Sequence, residues 1–169
     1  MGTNTLSQVI LAIGAHESEH FANIYKFFGK AKWDPDKIAF EIFKVIVDGL
    51  LPDCAEIEVV IDDTLNNCVG KKICGAGLQH DGNAPKTGKP IGYGFCFLII
   101  GVAVSLPGIS NRAFCLPCAA RLWWPEKAKI RPKESVYKTK PELAEDLVRL
   151  TRSWIDSSII LRIIVDGGN

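Results

Sequence analysis

Ile57-Glu58-Val59-Val60-Ile61-Asp62-Asp63-Thr64 reads as a strand whose apolar run gives way to two adjacent aspartates. Much later in the chain, Ile159-Ile160-Leu161-Arg162-Ile163-Ile164-Val165-Asp166 repeats the arrangement, a β-branched run and then an aspartate. Branched side chains pack well on a pleated surface and are stiff in a helix, so both stretches favour strand. Whether the two strands lie side by side depends on what connects them.

After the first strand, Asn66, Asn67 and Gly70 signal a turn, and residues 71–78 read as a second strand. A loop rich in Gly, Pro and Lys at 81–92 leads to a long third strand at 93–106, ended by Pro107-Gly108. Residues 111–124 fit either a strand or a short helix. A polar, basic loop at 125–137 precedes Thr139-Lys140-Pro141-Glu142, which has the Thr-x-x-Glu spacing of a capping box. The helix that starts there buries Leu143, Leu147, Val148, Leu150 and Trp154 and delivers the chain to the last strand. Short connections make the first three strands an antiparallel meander. A helical crossover lets the fourth lie parallel to the first. The expected class is therefore α/β, a mixed sheet in which the acids at 62–63 and 166 end neighbouring strands.

Upstream, residues 6–28 carry a helical pattern through Val9, Ile10, Ile13, Phe21, Ile24, Phe27 and Phe28. A break at 29–33 is followed by Asp34-Pro35, a strong helix start, and a second helix through Ile38, Phe40, Ile42, Phe43, Val45 and Ile46. The expected division is an N-terminal helical region at 1–52 and a sheet-bearing domain at 53–169.

The 169-residue chain has room for one sizeable core and an appendage. With 47% hydrophobic and 23% charged residues its composition is that of a globular protein, and a formal charge of +1 gives no global basic field for nucleic acid. Any basic patch must be local. The start lacks a basic segment before its apolar stretch, so no signal peptide is expected, and the six cysteines are expected as reduced thiols in a cytoplasmic protein. The most apolar run, 95–106, is too short to span a bilayer as a helix, so no membrane partner is expected. An apolar strand followed at once by Asp166-Gly167-Gly168-Asn169 suggests a truncated protein.

Carboxylates gathered at neighbouring strand ends repel unless a cation neutralises them, and hard oxygen donors suit Mg²⁺ or Mn²⁺. Two such ions about 3.5–4 Å apart activate an attacking oxygen and stabilise the leaving one in phosphoryl displacement. Alternation along a strand sends Asp62 and Asp63 to opposite faces, so one of them shares the site with Asp166. We select Asp63, with Asp62 as the alternative. The bland reading is that strand-end aspartates cap turns.

These residues resemble a known family. Val60-Ile61-Asp62-Asp63-Thr64-Leu65, followed by Gly70-Lys71-Lys72-Ile73-Cys74-Gly75-Ala76-Gly77-Leu78-Gln79-His80-Asp81, is similar to the start of the catalytic domain in bacterial insertion-sequence transposases of the DDE superfamily endonuclease type. So are His20-Phe21, Tyr25-Lys26-Phe27-Phe28 and Ala31-Lys32-Trp33 upstream, and Tyr137-Lys138-Thr139-Lys140-Pro141-Glu142-Leu143-Ala144 and Val165-Asp166 downstream. The resemblance implies a ribonuclease H-like fold, Mg²⁺ or Mn²⁺, and cleavage and transfer of DNA strands at transposon ends in a bacterial cytoplasm, near the nucleoid. A homo-oligomer is compatible with it. The first catalytic acid maps to Asp63, or to Asp62, and the second to Asp166. The third, a glutamate on a later helix, has no counterpart, and Gly167-Gly168-Asn169 departs from the small residue, Tyr and Gly that usually follow the second acid. The resemblance therefore implies a truncated, inactive transposase.

Two other readings compete. His16-Glu17-Ser18-Glu19-His20 matches the His-Glu-x-x-His pattern of zinc metallopeptidases, which needs both histidines on one helical face with Glu17 as general base. Without that helix the motif is an exposed polar turn. Alternatively the chain is a non-catalytic DNA-binding remnant. Cys115-Leu116-Pro117-Cys118 has the spacing of a redox pair or half a zinc site, against which stands the simpler account of buried apolar thiols. Lys127, Lys129, Arg131, Lys133, Lys138 and Lys140 form a basic stretch, and Lys71 and Lys72 follow the acidic pair. Of these, Lys71, Lys72, Lys129, Arg131 and Lys133 are the candidate DNA-backbone contacts, with a solvated loop face as the alternative. Trp123 and Trp124 either stack on an unpaired base or pack beneath that loop, and His80-Asp81 is a weaker candidate for a role near the acids.

Overall fold

The computed structural model describes residues 5–165, apart from 19, 71, 83, 85, 86, 88, 89, 107, 129 and 132–135. Its elements are α1 (Leu6–Ala12), α2 (Ala15–Ser18), α3 (Phe21–Lys30), α4 (Pro35–Leu50), β1 (Glu56–Asn67), β2 (Gly77–His80), β3 (Ile91–Ser105), β4 (Ala113–Trp123), α5 (Lys140–Arg152) and β5 (Ile160–Val165). Residues 1–34 and 35–169 form two compact units, so α4 belongs with the sheet.

Strand periodicity builds the core of the second unit. Cys96, Leu98, Ile100, Val102 and Val104 are buried on one face of β3, and Ile57, Val59 and Ile61 continue that face on β1. Ala39, Phe43 and Ile46 from α4 and Leu143 and Leu147 from α5 close over it. Each large aliphatic side chain buried this way contributes roughly 1.5–3 kcal/mol. Trp154 packs on Phe43 and Phe40, with ring centroids 5.3 and 5.9 Å apart, and Arg121 on β4 pairs with Asp36 in the first turn of α4 at 2.8 Å.

The sheet is mixed. β3 pairs antiparallel with β1 on one edge and with β2 and then β4 on the other, while β5 lies parallel to β1 on the far side. α5 makes the connection that parallel pairing demands. Its start is the reciprocal cap legible in the sequence: the Glu142 amide donates to the Thr139 hydroxyl and the Glu142 carboxylate accepts from the Thr139 amide at 2.7 Å.

Three sequence expectations need correction. The second expected strand, at 71–78, shrinks to the four residues of β2, because Gly75 takes φ +77 and turns the chain, its amide donating to the Ile130 carbonyl at 2.9 Å. β1 consequently pairs with β3, and the antiparallel meander runs β1-β3-β4. The ambiguous stretch 111–124 is β4, an eleven-residue strand. Pro117 made it ambiguous, since proline breaks both helices and regular ladders. Here it is accommodated at a register shift opposite Ile100 and Gly101 that leaves Cys118 as the extra residue.

The single helix expected over 6–28 is three pieces. α1 ends before Gly14, which adopts φ +70, and α2 stops at Ser18. Within this unit the Ser7 and Tyr25 hydroxyls lie 2.6 Å apart and Phe27 stacks on Trp33. Among the described residues, no helix is long and apolar enough to cross a membrane.

Candidate active site

Alternation along β1 separates the two aspartates. Asp63 lies opposite Leu98 and follows Ile57, Val59 and Ile61 onto the helix-covered face, whereas Asp62, opposite Ile99, belongs to the other face. The Asp62 carboxylate accepts from the Asp63 amide at 2.8 Å. Asp63 therefore stands where the buried stripe of β1 runs out, at the edge of the core beneath the start of α5.

Among the described residues, Lys140 and Cys96 approach its carboxylate, and Trp123 packs against Lys140. Lys140, the first residue of α5, donates from Nζ to Asp63 Oδ2 in a half-exposed ion pair. The buried Cys96 thiol lies 3.8 Å from the same oxygen. Trp123, at the end of β4, presents its ring 5.0 Å from the Lys140 ammonium, within cation–π range. A cavity of 260 Å³ opens here, lined by Ile61, Asp62, Asp63, Leu98, Lys140 and Val165 among others. Burial pushes the Cys96 thiol up to about 11, opposed by the Lys140 charge and reinforced by Asp63, so this sulfur stays protonated near neutral pH.

The end of β5 lies beside the middle of β1, which runs on past the expected end at Thr64 to Asn67, so Asp62 and Asp63 sit within the strand. The parallel register matches Val59 with Ile163, Val60 with Ile164 and Ile61 with Val165, the last described residue. Asp166 follows directly in the chain but lies outside the described residues, as do Lys71, Lys129 and Lys133. Lys72 and Arg131 are exposed. Lys138 is held by Asp146 at 2.5 Å, so it and Lys140 already have carboxylate partners. Among the described residues no group of three or more His, Cys, Asp or Glu side chains is placed to hold a metal ion. The donor chemistry at Asp63 nevertheless fits a hard cation, for the cavity offers a half-exposed carboxylate that is already paired with a cation, the Lys140 ammonium.

The other sequence motifs fare differently. His16 sits on α2, but His20 lies beyond that helix with extended backbone, capping α3 by accepting from the Ala22 amide at 3.2 Å. The one continuous helix that zinc-peptidase geometry needs is interrupted between the two histidines. Cys115 is exposed on β4, while Cys118 is buried and donates to the Ile100 carbonyl at 3.3 Å. Burial raises both thiols, Cys118 to about 11, the reverse of what a redox pair requires. Trp124 is buried, and the indole nitrogens of Trp123 and Trp124 are buried with no partner among the described residues. His80 is exposed at the end of β2, and Asp81 accepts from Asn67 at 3.3 Å.

Sequence reasoning placed Lys140 in a basic stretch that either contacts phosphates or is a solvated loop face, and did not connect it, Cys96 or Trp123 with the acids. One signal was available. A lysine in the first turn of a helix opposes the helix dipole, which favours anions there, so some other contact has to hold it.

A family model for the DDE superfamily endonuclease matches residues 2–168 of this chain. No curated protein and no solved structure gives a match.

Proposed function

This chain belongs to the DDE superfamily endonuclease family, and from that premise we propose that it is a transposase-type nuclease with a ribonuclease H-like core. In this reading Asp63 and Asp166 together hold Mg²⁺ or Mn²⁺ where the end of β5 meets β1. The observation that carries it is the pairing of Ile61 with Val165, which brings the residue before Asp166 next to the strand that presents Asp63. The order β1-β3-β4, a crossover helix and a parallel β5 beside β1 supports the ribonuclease H-like assignment.

A divalent pair, when bound, supplies charge to the phosphoryl oxygens and acidity to the attacking hydroxyl or water. The chain's own residues do the rest. Asp63 presents its carboxylate over an apolar floor of Ile61 and Leu98, which fixes this part of β1 and keeps water from beneath it. Exposed Lys72 and Arg131, with Lys71, Lys129 and Lys133, attract the DNA backbone. Continued strand pairing would set position 166 against Asp62, so sharing with Asp63 requires the chain to leave the strand after Val165, a turn that Gly167-Gly168 permits. We assign the first and second acids of the family's set to Asp63 and Asp166.

DNA binding tests the proposal. Fluorescence anisotropy with duplex DNA should show affinity that falls with salt and rises with added Ca²⁺, and Asp63→Asn should remove the Ca²⁺ effect. DNA affinity indifferent to both the ion and the substitution would overturn the reading.

A further inference from the structure

The ion pair at Asp63 is oddly built. Lys140 is the first residue of α5, where the helix dipole works against a cation, and it reaches across from the crossover helix to a strand more than seventy positions away in sequence. While paired with Asp63, its ammonium also lies 5.0 Å from the centroid of the Trp123 ring, within cation–π range. The pair is not sealed, because the two side chains are 38% and 46% exposed and the cavity opens onto them. A contact of that kind exchanges readily, since half-exposed ion pairs are held weakly. A hard divalent cation on Asp63 Oδ2 competes with the ammonium for that oxygen's electrons and meets its positive charge at close range.

We propose that Lys140 is the resident counter-cation of Asp63, occupying the carboxylate in the metal-free protein and retaining only its contact with Trp123 when a divalent cation takes its place. The inference rests on Asp63 being a metal ligand and adds a residue that sets when it becomes one. Lys140 neutralises an acid that would otherwise repel its neighbour Asp62, and it holds this part of β1 before the ion arrives. Metal affinity then carries the cost of displacing it. Lys140 acts through Asp63 and is a positioning residue.

Two readings on the full 169-residue chain test this. Calorimetric titration with Mn²⁺ should give binding roughly two- to fivefold tighter in Lys140→Met than in the parent, the cost of breaking a half-exposed ion pair having been removed. Mg²⁺ titration should change the tryptophan emission of the parent protein, with that change absent from Lys140→Met and from Trp123→Phe. Equal or weaker Mn²⁺ binding by Lys140→Met, or emission that ignores Mg²⁺ while binding proceeds, would overturn the proposal. Asp63→Asn separates the two levels. If it abolishes Mn²⁺ binding while Lys140→Met changes nothing, the counter-cation role fails and the metal site stands. If Asp63→Asn leaves binding intact, or if the parent protein binds no Mn²⁺, both fail.

Discussion

Lys140 Nζ meets the Asp63 carboxylate, joining the first residue of the crossover helix to the later half of β1. One contact thus links the element that makes β5 parallel to the acid at the edge of the sheet. Thr139, immediately before it, fixes where the helix begins and therefore where Lys140 can reach.

That cap carries the first prediction. Thr139→Ala removes the hydroxyl that accepts from the Glu142 amide and should destabilise the protein by about 1 kcal/mol, read as a lower urea midpoint with an unchanged slope. Thr139→Ser should retain most of the stability.

The same contact has a pH signature. Hydrogen bonds from the Thr139 side chain and then its amide hold the Glu142 carboxyl below its ordinary value. A depressed folded-state value contributes stability that is fully present above the unfolded value and fades as pH falls through the folded one. In Glu142→Gln the loss of stability on acidification below the usual glutamate range should be smaller than in the parent, as measured by urea midpoints taken across that range. Identical acid profiles would count against the cap.

Core packing gives a third expectation. Leu147 is fully buried between α5 and the sheet. Leu147→Ala should cost about 2–5 kcal/mol by removing buried methyl groups and leaving a cavity, seen as a lowered thermal midpoint. Ile163→Ala, on a partly exposed strand position, should cost much less.

The cysteines give a fourth. Cys96 and Cys118 are buried and raised to about 11, so at pH 8 neither should react with a thiol reagent until the protein unfolds. Exposed Cys115 should react first, and mass spectrometry of the labelled peptides would distinguish them. Early labelling of Cys118 would revive the redox reading of the Cys-x-x-Cys pair.

Much of this was legible beforehand because the signals were periodic. Alternation in β1 and β3, the branched run of β5 and the Thr139–Glu142 cap each impose a structure by local chemistry alone. The exceptions were single residues that override a pattern. Gly75 turned most of an expected strand into a loop, Gly14 split an expected helix, and Pro117 concealed a strand that tolerates it through a bulge. At the candidate site, alternation already implied that Asp62 and Asp63 face opposite ways, and Asp63 shares the face of Ile57, Val59 and Ile61. Lys140, Cys96 and Trp123 come from three other elements, and their meeting is a product of tertiary packing that no spacing in the chain announces.

The central claim is that residues 63 and 166 ligate one divalent ion together. Electron paramagnetic resonance of bound Mn²⁺ tests it most directly, comparing the parent chain with Asp62→Asn, Asp63→Asn, Asp166→Asn and the 63/166 double variant. The account predicts one binding event, lost equally in Asp63→Asn, Asp166→Asn and the double variant and kept in Asp62→Asn. Retention in Asp63→Asn with loss in Asp62→Asn would contradict it, as would separate, additive losses at 63 and 166.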